Sequence, residues 1–344
     1  MNMLQLTSVV FRIRYKNKNA PNLGHRHFVH RISLRSRIIA SLLLMGCFGC
    51  RMGTPTIAVV PRTTGMALWE PEHAGAQLTA SRLGLKVYWN APTREDDVQG
   101  QIALVERIIE RGYAGLVLSP DQNLALMTVV RRALSHNIPT VIVGSGLPLE
   151  PGGNLSYVLN DDHEMGTMAA ARMGKILEGK GTVAIIGINP AIAGIPERVE
   201  AFDLTLASRF PGLRVIERRI GSFNVPYEQQ ITEEVLNTHP DLDAIFAVSA
   251  DATRGAYSAL VELHRTKTVK LIGCDQDLLM PLVTGEIDSV FAENTFEMGR
   301  KAVEFVANAR EGKAVPPITR LQPLLVTKDN FQSADIRKIL GLAE

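Results

Sequence analysis

The feature that most constrains the fold of this chain is a regular alternation of short apolar runs with longer helical patterns from residue 56 onward. Runs such as 56–60, 115–118 and 244–248 have the length of buried strands, and the segments between them carry apolar residues at helical spacing. Strands that alternate with helices of this length predict βαβ units and parallel sheets. Two successive series predict an α/β fold with two doubly wound parallel-sheet lobes, and residues 321–326 predict one further extended segment.

A second constraint is an acidic residue at the end of the last regular strand of the second series. Residues 269–273 (V-K-L-I-G) predict a buried strand, and Cys274 and Asp275 follow directly. In open parallel sheets, ligands bind outside the carboxyl ends of the strands. Asp275 is therefore a candidate ligand contact, with a helix cap as the alternative. We expect Cys274 to be a small packed thiol, because no His lies near it in sequence to activate it as a nucleophile.

The first fifty residues differ in charge from the rest of the chain. The net charge is +2, but no Asp or Glu precedes Glu70, so the basic excess lies in this segment. Its basic residues precede an apolar run at 38–45, which is too short to span a bilayer, since a spanning helix needs about 20 residues. A basic region, a short apolar run and small residues describe an export signal. We therefore assign residues 1–50 to export.

The end of this segment, Leu44-Met45-Gly46-Cys47, resembles a bacterial lipobox. The resemblance implies that Cys47 is diacylated and becomes the mature N-terminus. A plain cleaved signal is the alternative. Because the basic excess is confined to the export segment and the remainder is mildly acidic, we expect no nucleic-acid partner.

The sequence carries no motif that indicates catalysis or cofactor binding. It has no Walker loop and no G-x-S-x-G motif, and its His residues are scattered rather than paired at metal-ligand spacing. The stretch Gly144-Ser145-Gly146 begins like a dinucleotide fingerprint, but the third glycine and the following helix are missing. We therefore expect a protein that is not an enzyme and that has no cofactor and no metal.

Several short motifs follow one another in order along residues 55–330. They are T-I-A-V-V (56–60), A-G-A-Q (74–77), I-P-T-V-I-V (138–143), E-R-V-E-A-F (197–202), H-P-D-L-D-A-I-F-A (239–247), I-G-C-D (272–275) and E-M-G (297–299). Together they resemble the type I periplasmic binding proteins, close to the ribose-binding branch. The resemblance implies two lobes joined by three crossovers, near Asn160, Glu293-Asn294 and Pro323. Lobe one would comprise residues 55–160 and 294–322, lobe two residues 161–293 and 323–330, and the C-terminal tail residues 331–344.

The resemblance also implies a sugar site in the cleft between the lobes. A sugar offers an apolar face, which aromatic rings cover, and hydroxyl groups, which planar charged or amide groups bridge. Trp69 and Phe223 match the family's aromatic residues, whereas Arg198 and Asp275 match its ligand arginine and its hydroxyl-bridging acid. The alternatives are a core anchor for Trp69 and a solvated helix charge for Arg198.

Other candidate site residues depart from the ribose-binding pattern. Ser145 lies in a Gly-Ser pair where the family has Asp-Arg, Ser249 replaces an Asn, and Glu293, followed by Asn294, replaces an amide. These departures argue against ribose itself and leave a monosaccharide or a related polyol as the expected ligand. Glu293 beside Asp275 is compatible with a ligand that carries a positive group. The alternative for Glu293 is a salt bridge at the hinge.

On this resemblance we expect a solute-binding protein that captures its ligand between the lobes and presents it to the membrane permease of an ABC importer. It would be a periplasmic or otherwise extracytoplasmic monomer, held at the membrane only by its lipid anchor. A binding protein for a chemotaxis or sensor system is one alternative. The ligand-binding core of a lactose-repressor-type regulator is another, and it conflicts with the export segment.

Overall fold

Two six-stranded sheets form the framework within residues 53–340, the part of the chain that this computed structural model describes. Helices cover both sheets, so each sheet with its helices forms one lobe. The predicted export segment and the lipidation site Cys47 lie outside the described residues.

The first sheet is wholly parallel and belongs to lobe one. Its strands are β1 (Thr56–Val60), β2 (Lys86–Trp89), β3 (Gly115–Leu118), β4 (Thr140–Gly144), β5 (Leu155–Asn160) and β11 (Ile318–Leu321). They lie in the spatial order β11-β5-β4-β3-β1-β2. The carboxyl ends of these strands therefore all meet at one edge of the lobe.

Helices cover both faces of this sheet. Successive strand residues point to opposite faces, so neighbouring residues of β1 belong to different cores. Ile57 and Val59 face a core shared with the helices α1 (Glu70–Arg82) and α9 (Thr295–Arg310). Ala58 and Val60 face the core on the other side, which is shared with α2 (Val98–Glu110) and α3 (Asn123–Ser135). This two-sided burial explains why β1 reads as a continuous apolar run rather than as an alternating strand.

The second sheet belongs to lobe two and repeats this plan. Its strands are β6 (Lys180–Ile188), β7 (Gly212–Ile220), β8 (Ala244–Ala247), β9 (Lys270–Gly273), β10 (Ser289–Ala292) and β12 (Leu324–Thr327). Their spatial order is β12-β10-β9-β8-β6-β7, and only the pairing of β10 with β12 is antiparallel. The helices of this lobe are α4 (Asp162–Ile176), α5 (Gly194–Arg209), α6 (Val225–Thr238), α7 (Ala250–Glu262), α8 (Leu279–Thr284) and α10 (Ala334–Ile339).

The chain passes between the lobes three times. It crosses from β5 to α4 after Asn160, from β10 to α9 at Glu293 and Asn294, and from β11 to β12 at Gln322 and Pro323. The predicted fold class, two doubly wound α/β lobes joined by three crossovers, is thus confirmed.

The end of the chain differs from the expectation in two respects. The single extended segment predicted at 321–326 is wrong, because β11 and β12 are separate strands of different sheets on either side of Pro323. Two four-residue strands so close together give no pattern that distinguishes them from one strand. The region predicted as a tail contains α10, whose Ile336 is buried in the core of lobe two.

Glycines allow two pairs of helices to pack closely beside the cleft. A Cβ atom on Gly299 of α9 would lie 2.1 Å from the carbonyl oxygen of Glu72 in α1. In lobe two, a Cβ atom on Gly166 of α4 would lie 2.1 Å from the carbonyl oxygen of Arg198 in α5. No side chain fits at these distances, so the two glycines fix how close α1 and α5 lie to their partners. Among the described residues, no helix is both long and apolar enough to cross a membrane.

Candidate functional site

The candidate site is a cleft between the lobes, at the carboxyl ends of the strands. The cavity that it encloses is about 40 Å³, well below the roughly 300–1,000 Å³ found for small-molecule sites. The sequence-predicted residues that line the cleft are Ser145, Arg198, Phe223, Ser249 and Glu293. The remaining predicted residues, Trp69, Asp275 and Asn294, are not among the lining residues.

The lobes contact each other around this cleft. The backbone N–H of Asn123, the first residue of α3, donates to the carbonyl oxygen of Ala191 in lobe two at 2.9 Å. Arg320 of β11 forms an ion pair with Glu197 of α5 at 3.4 Å. With the lobes this close, one small ligand in the cleft can contact both of them at once.

Arg62, in the loop after β1, also lines the cleft and was not predicted. Its guanidinium carbon is 5.8 Å from the ring centre of Trp69 in lobe one and 5.7 Å from that of Phe223 in lobe two. Both distances allow cation–π attraction, which is effective within about 6 Å. Nη2 of Arg62 also donates to Oγ of Ser145 at 3.2 Å. Arg62 thus links the two predicted aromatic residues across the interlobe space.

The two aromatic rings are held in different ways. Trp69 ends a single 3₁₀ turn before α1 and is only 2% exposed, and its indole N–H donates to Oε1 of Glu95 at 3.3 Å. Phe223 is half-buried and has a φ of 53°. A residue with a Cβ atom adopts this left-handed conformation at an energetic cost, and such residues cluster at functional sites. The backbone of Phe223 therefore supports its assignment to the site.

Arg198 of α5 is buried and fully engaged within lobe two. Its Nε and Nη2 donate to Oδ1 of Asp162, and its Nη1 donates to the carbonyl oxygen of Val248 at 2.6 Å and to Sγ of Cys274 at 3.2 Å. An oxygen of Glu293 lies 4.0 Å from Nη2. Arg198 therefore connects the segments of lobe two that line the cleft, and one of its nitrogens lies near Glu293. It is buried, so it is not the solvated helix charge considered as the alternative.

The thiol of Cys274 is a packed group. Burial raises its pKa to about 11, so the thiol stays protonated at neutral pH. Its sulfur contacts Sδ of Met165 at 3.9 Å as well as Arg198. A protonated, buried thiol is a poor nucleophile, in agreement with the role expected from the sequence.

Three of the predicted ligand contacts make internal bonds in this structure. The buried carboxylate of Asp275 pairs with Arg254 and accepts the backbone N–H of Asp277 at 3.0 Å. Oγ of Ser249 accepts the N–H of Ala252 and caps α7, and Oδ1 of Asn294 accepts the N–H of Glu297 and caps α9. Their roles toward a ligand remain predictions.

Three buried carboxyl groups of lobe one lie within range of the charge of Arg62, and they too were not predicted. Glu72 and Asp121 are 0% and 1% exposed, and none of their carboxyl oxygens has a hydrogen-bond partner. Glu95 is buried and accepts only the indole N–H. Burial raises the pKa of Glu72 and Asp121 to about 8 and that of Glu95 to about 7, and the charge of Arg62 offsets only part of each shift. Within residues 53–340, no group of three or more His, Cys, Asp or Glu side chains is arranged to hold a metal ion.

The strand-end rule that selected Asp275 could have found most of these residues. Arg62, Glu95 and Asp121 lie in the loops that follow β1, β2 and β3, at the same edge of the sheet. Glu72 gave no such signal, because an acid in the first turn of a helix is ordinary. Only its packing shows that it is buried.

The family of the chain follows from comparison with known proteins. The family described as periplasmic binding protein domain matches residues 57–314, and the chain therefore belongs to the periplasmic binding protein family. This is a family of binding proteins, not of enzymes, which confirms the expectation that the chain is not an enzyme. Membership also implies an extracytoplasmic location.

Individual relatives and solved structures agree with this assignment. The chain is 27% identical over 244 residues to the ribose import binding protein of Bacillus subtilis, covering 70% of this chain and 77% of the relative. It is 23% identical over 305 residues to the D-apiose import binding protein of Paraburkholderia graminis, covering 86% and 95%. A carbohydrate transporter solute-binding protein from Agrobacterium radiobacter, solved in complex with D-arabinose, shares the fold with a TM-score of 0.78 and 24% identity, covering 84% of this chain and 99% of that chain.

Proposed function

We propose that this chain is a solute-binding protein that captures a monosaccharide or a related polyol in the interlobe cleft and presents it to an ABC-type importer. The observation that carries the proposal is the composition of the cleft. The ring of Phe223, the guanidinium groups of Arg62 and Arg198 and the carboxyl groups of Glu95 and Glu293 line it from both lobes, and Trp69 packs behind Arg62. Rings suit the apolar face of a sugar, and planar charged groups suit its hydroxyl groups.

The relatives support the same class of ligand. Two of the relatives are named for ribose and D-apiose import, and structures of the same fold were solved with D-arabinose and with α-D-tagatopyranose. Five-carbon and six-carbon sugars are therefore the first ligands to test.

The proposed mechanism is closure of the lobes around the ligand. A ligand that contacts both lobes stabilises the closed state by its differential affinity for that state over the open one. Arg62 and Ser145 act from lobe one, and Arg198 and Phe223 act from lobe two. The three crossovers serve as the hinge, and the closed form docks on the permease.

Isothermal titration of the full-length protein with pentoses, hexoses and polyols tests the proposal. We expect saturable binding of at least one of these sugars, weakened by Phe223→Ala because the half-buried ring covers the sugar. Tyr227→Ala, which removes an exposed ring in the same region outside the cleft, is the matched control and should leave binding unchanged. A folded protein that binds no sugar in the panel would refute the proposed function.

We further propose that Cys47 anchors the protein to the membrane as a lipoprotein. The support is the lipobox-like sequence Leu44-Met45-Gly46-Cys47 after an apolar run. Expression in a bacterial host followed by detergent-phase partitioning tests it. The wild-type protein should enter the detergent phase, and Cys47→Ala should not. Equal partitioning of the two proteins would contradict the anchor and favour a cleaved signal.

A further inference from the structure

The edge of lobe one that lies opposite the cleft carries an excess of basic side chains. All strands of its sheet are parallel, so the helix ends that lead into the strands lie at this edge. We name it the basic pole and define it as the last four residues of α1, α2, α3 and α9, each continued to the first residue of the next strand. Two Glu residues lie in these segments, against seven Arg or Lys residues: Arg82, Lys86, Arg107, Arg111, Arg132, Arg310 and Lys313.

Most of these basic side chains are not neutralised by an acid. Arg132 and Lys313 form ion pairs with glutamates. The other five are exposed, and within residues 53–340 none of them has an acidic oxygen within 4.0 Å. The acids that remain nearby are Glu110, exposed at the end of α2, and Glu150, exposed in the loop before β5. The basic pole is therefore positively charged.

Helix dipoles do not explain this excess. Basic residues are favoured at the carboxyl ends of helices in general, so the helices of lobe two provide a control within the same chain. The corresponding segments after α4, α5, α6, α7 and α8 contain six basic and six acidic side chains. The acids are Glu178, Asp241, Asp243, Glu262, Glu286 and Asp288. The two lobes have the same architecture, so the excess is particular to lobe one.

The helix ends of the basic pole meet around a surface groove of about 560 Å³. Gly112, His136 and Arg310 line this groove, so the ends of α2, α3 and α9 lie side by side. Leu83 and Ile318, two large apolar side chains that are 48% and 49% exposed, belong to the same pole. Basic side chains beside exposed apolar ones are typical of surfaces that rest on a bilayer.

The chain enters lobe one at this pole. The backbone N–H of Lys86 donates to the carbonyl oxygen of Pro55 at 2.9 Å, and that of Ala114 donates to the carbonyl oxygen of Thr56 at 2.8 Å. Pro55 lies eight positions after the predicted lipidation site Cys47, and a chain of that length reaches at most about 30 Å. An acyl chain on Cys47 would therefore keep the basic pole within that distance of the membrane.

We propose that the basic pole is a membrane-facing surface that binds the phosphate groups of anionic phospholipids. Guanidinium and ammonium groups form charge-assisted hydrogen bonds with phosphate, and basic side chains near an anionic bilayer each add to its attraction. Salt screens charges beyond about 8 Å at physiological ionic strength, so the local excess decides binding rather than the charge of the whole chain. Because the surface belongs to lobe one alone, lobe two stays free to move on the hinge.

Co-sedimentation of the full-length protein with vesicles tests the inference. Vesicles of phosphatidylcholine mixed with phosphatidylglycerol are compared with vesicles of phosphatidylcholine alone. Cys47→Ala is the common background, so no acyl chain contributes, and residues 1–50 are present in every protein compared. The pole variant combines Lys86→Gln, Arg111→Gln and Arg310→Gln, which remove three exposed charges.

A second variant of equal net charge is the matched control. It combines Lys175→Gln, Lys180→Gln and Lys270→Gln, which remove three exposed charges at helix ends and strand starts of lobe two. We expect the pole variant to bind the anionic vesicles at least about tenfold more weakly than the background, since each basic side chain near an anionic surface raises the affinity about fivefold. The control variant should bind like the background, and raising the salt concentration should reduce the difference between the two variants.

The outcomes are decisive and independent of the proposed sugar-binding function. An equal loss in both variants would show that binding follows net charge, and no loss in either would show that the pole does not contact the membrane; both results overturn the inference. Each single substitution at the pole should lower the affinity about fivefold, which keeps the test valid if the triple variant is unstable. Sugar titration of the pole variant should match the wild type, because the substituted residues lie outside the cleft.

Discussion

Replacing Glu72 by Gln should flatten the pH dependence of stability. The pKa of this buried carboxyl group is raised from its ordinary value of 4.5 to about 8, so the folded protein holds a proton that the unfolded chain loses. Stability is therefore greatest at low pH and falls as the pH rises from about 4.5 to about 8. Linkage gives a folding cost of roughly 1 kcal/mol at about pH 5.5 and roughly 3 kcal/mol at about pH 7, a difference of about 2 kcal/mol.

Urea unfolding at these two pH values measures the effect. The wild-type protein should lose about 2 kcal/mol more than Glu72→Gln between them. Glu95 and Asp121 titrate in the same range, but they contribute to both proteins, so the difference between the proteins isolates Glu72. The exposed control Glu110→Gln should parallel the wild type. Parallel curves for Glu72→Gln and the wild type would show that Glu72 is ionised in the folded protein, and the reasoning would fail.

Three further changes test other parts of the structure. Arg198→Ala should lower the free energy of unfolding by roughly 3–5 kcal/mol, because it leaves Asp162 buried without its partner; an unchanged urea midpoint would contradict this. Gly299→Ala should cost roughly 1–3 kcal/mol by pushing α9 from α1, whereas Arg310→Ala, at the exposed end of the same helix, should cost little. Iodoacetamide at about pH 8 should leave Cys274 unmodified in the folded protein and alkylate it after denaturation, as read by peptide mass spectrometry.

Much of the fold could be predicted because it depends on local patterns. The run at 56–60 is apolar throughout, since both faces of β1 are covered, and this distinguishes a buried parallel strand from an edge strand. Each apolar run of this kind is followed by a segment of helical spacing, so the order of elements follows from the chain itself. The division of the last extended segment into two strands at Pro323 could not be predicted, because strands of four residues carry too little periodicity.

The candidate site could be predicted only in part. The motif match placed Ser145, Arg198, Phe223, Ser249 and Glu293 at the cleft, and the structure shows each of them lining it. It did not reveal that Arg254 already binds Asp275, because a pairing between residues 21 positions apart depends on the packing of α7 against the end of β9. Sequence spacing does not encode that distance.

The sequence by itself determined the α/β architecture, the two lobes and the edge of the sheets where the candidate cleft lies, because apolar periodicity and the parallel arrangement are local properties of the chain. The tertiary structure alone decided which carboxyl groups near the cleft are buried and have a raised pKa. Glu72, Glu95 and Asp121 come from a helix and two loops, and they become buried within range of the charge of Arg62 only when the sheet and its helices have assembled. Burial then removes the water that would have solvated them, and this raises the pKa of each of them.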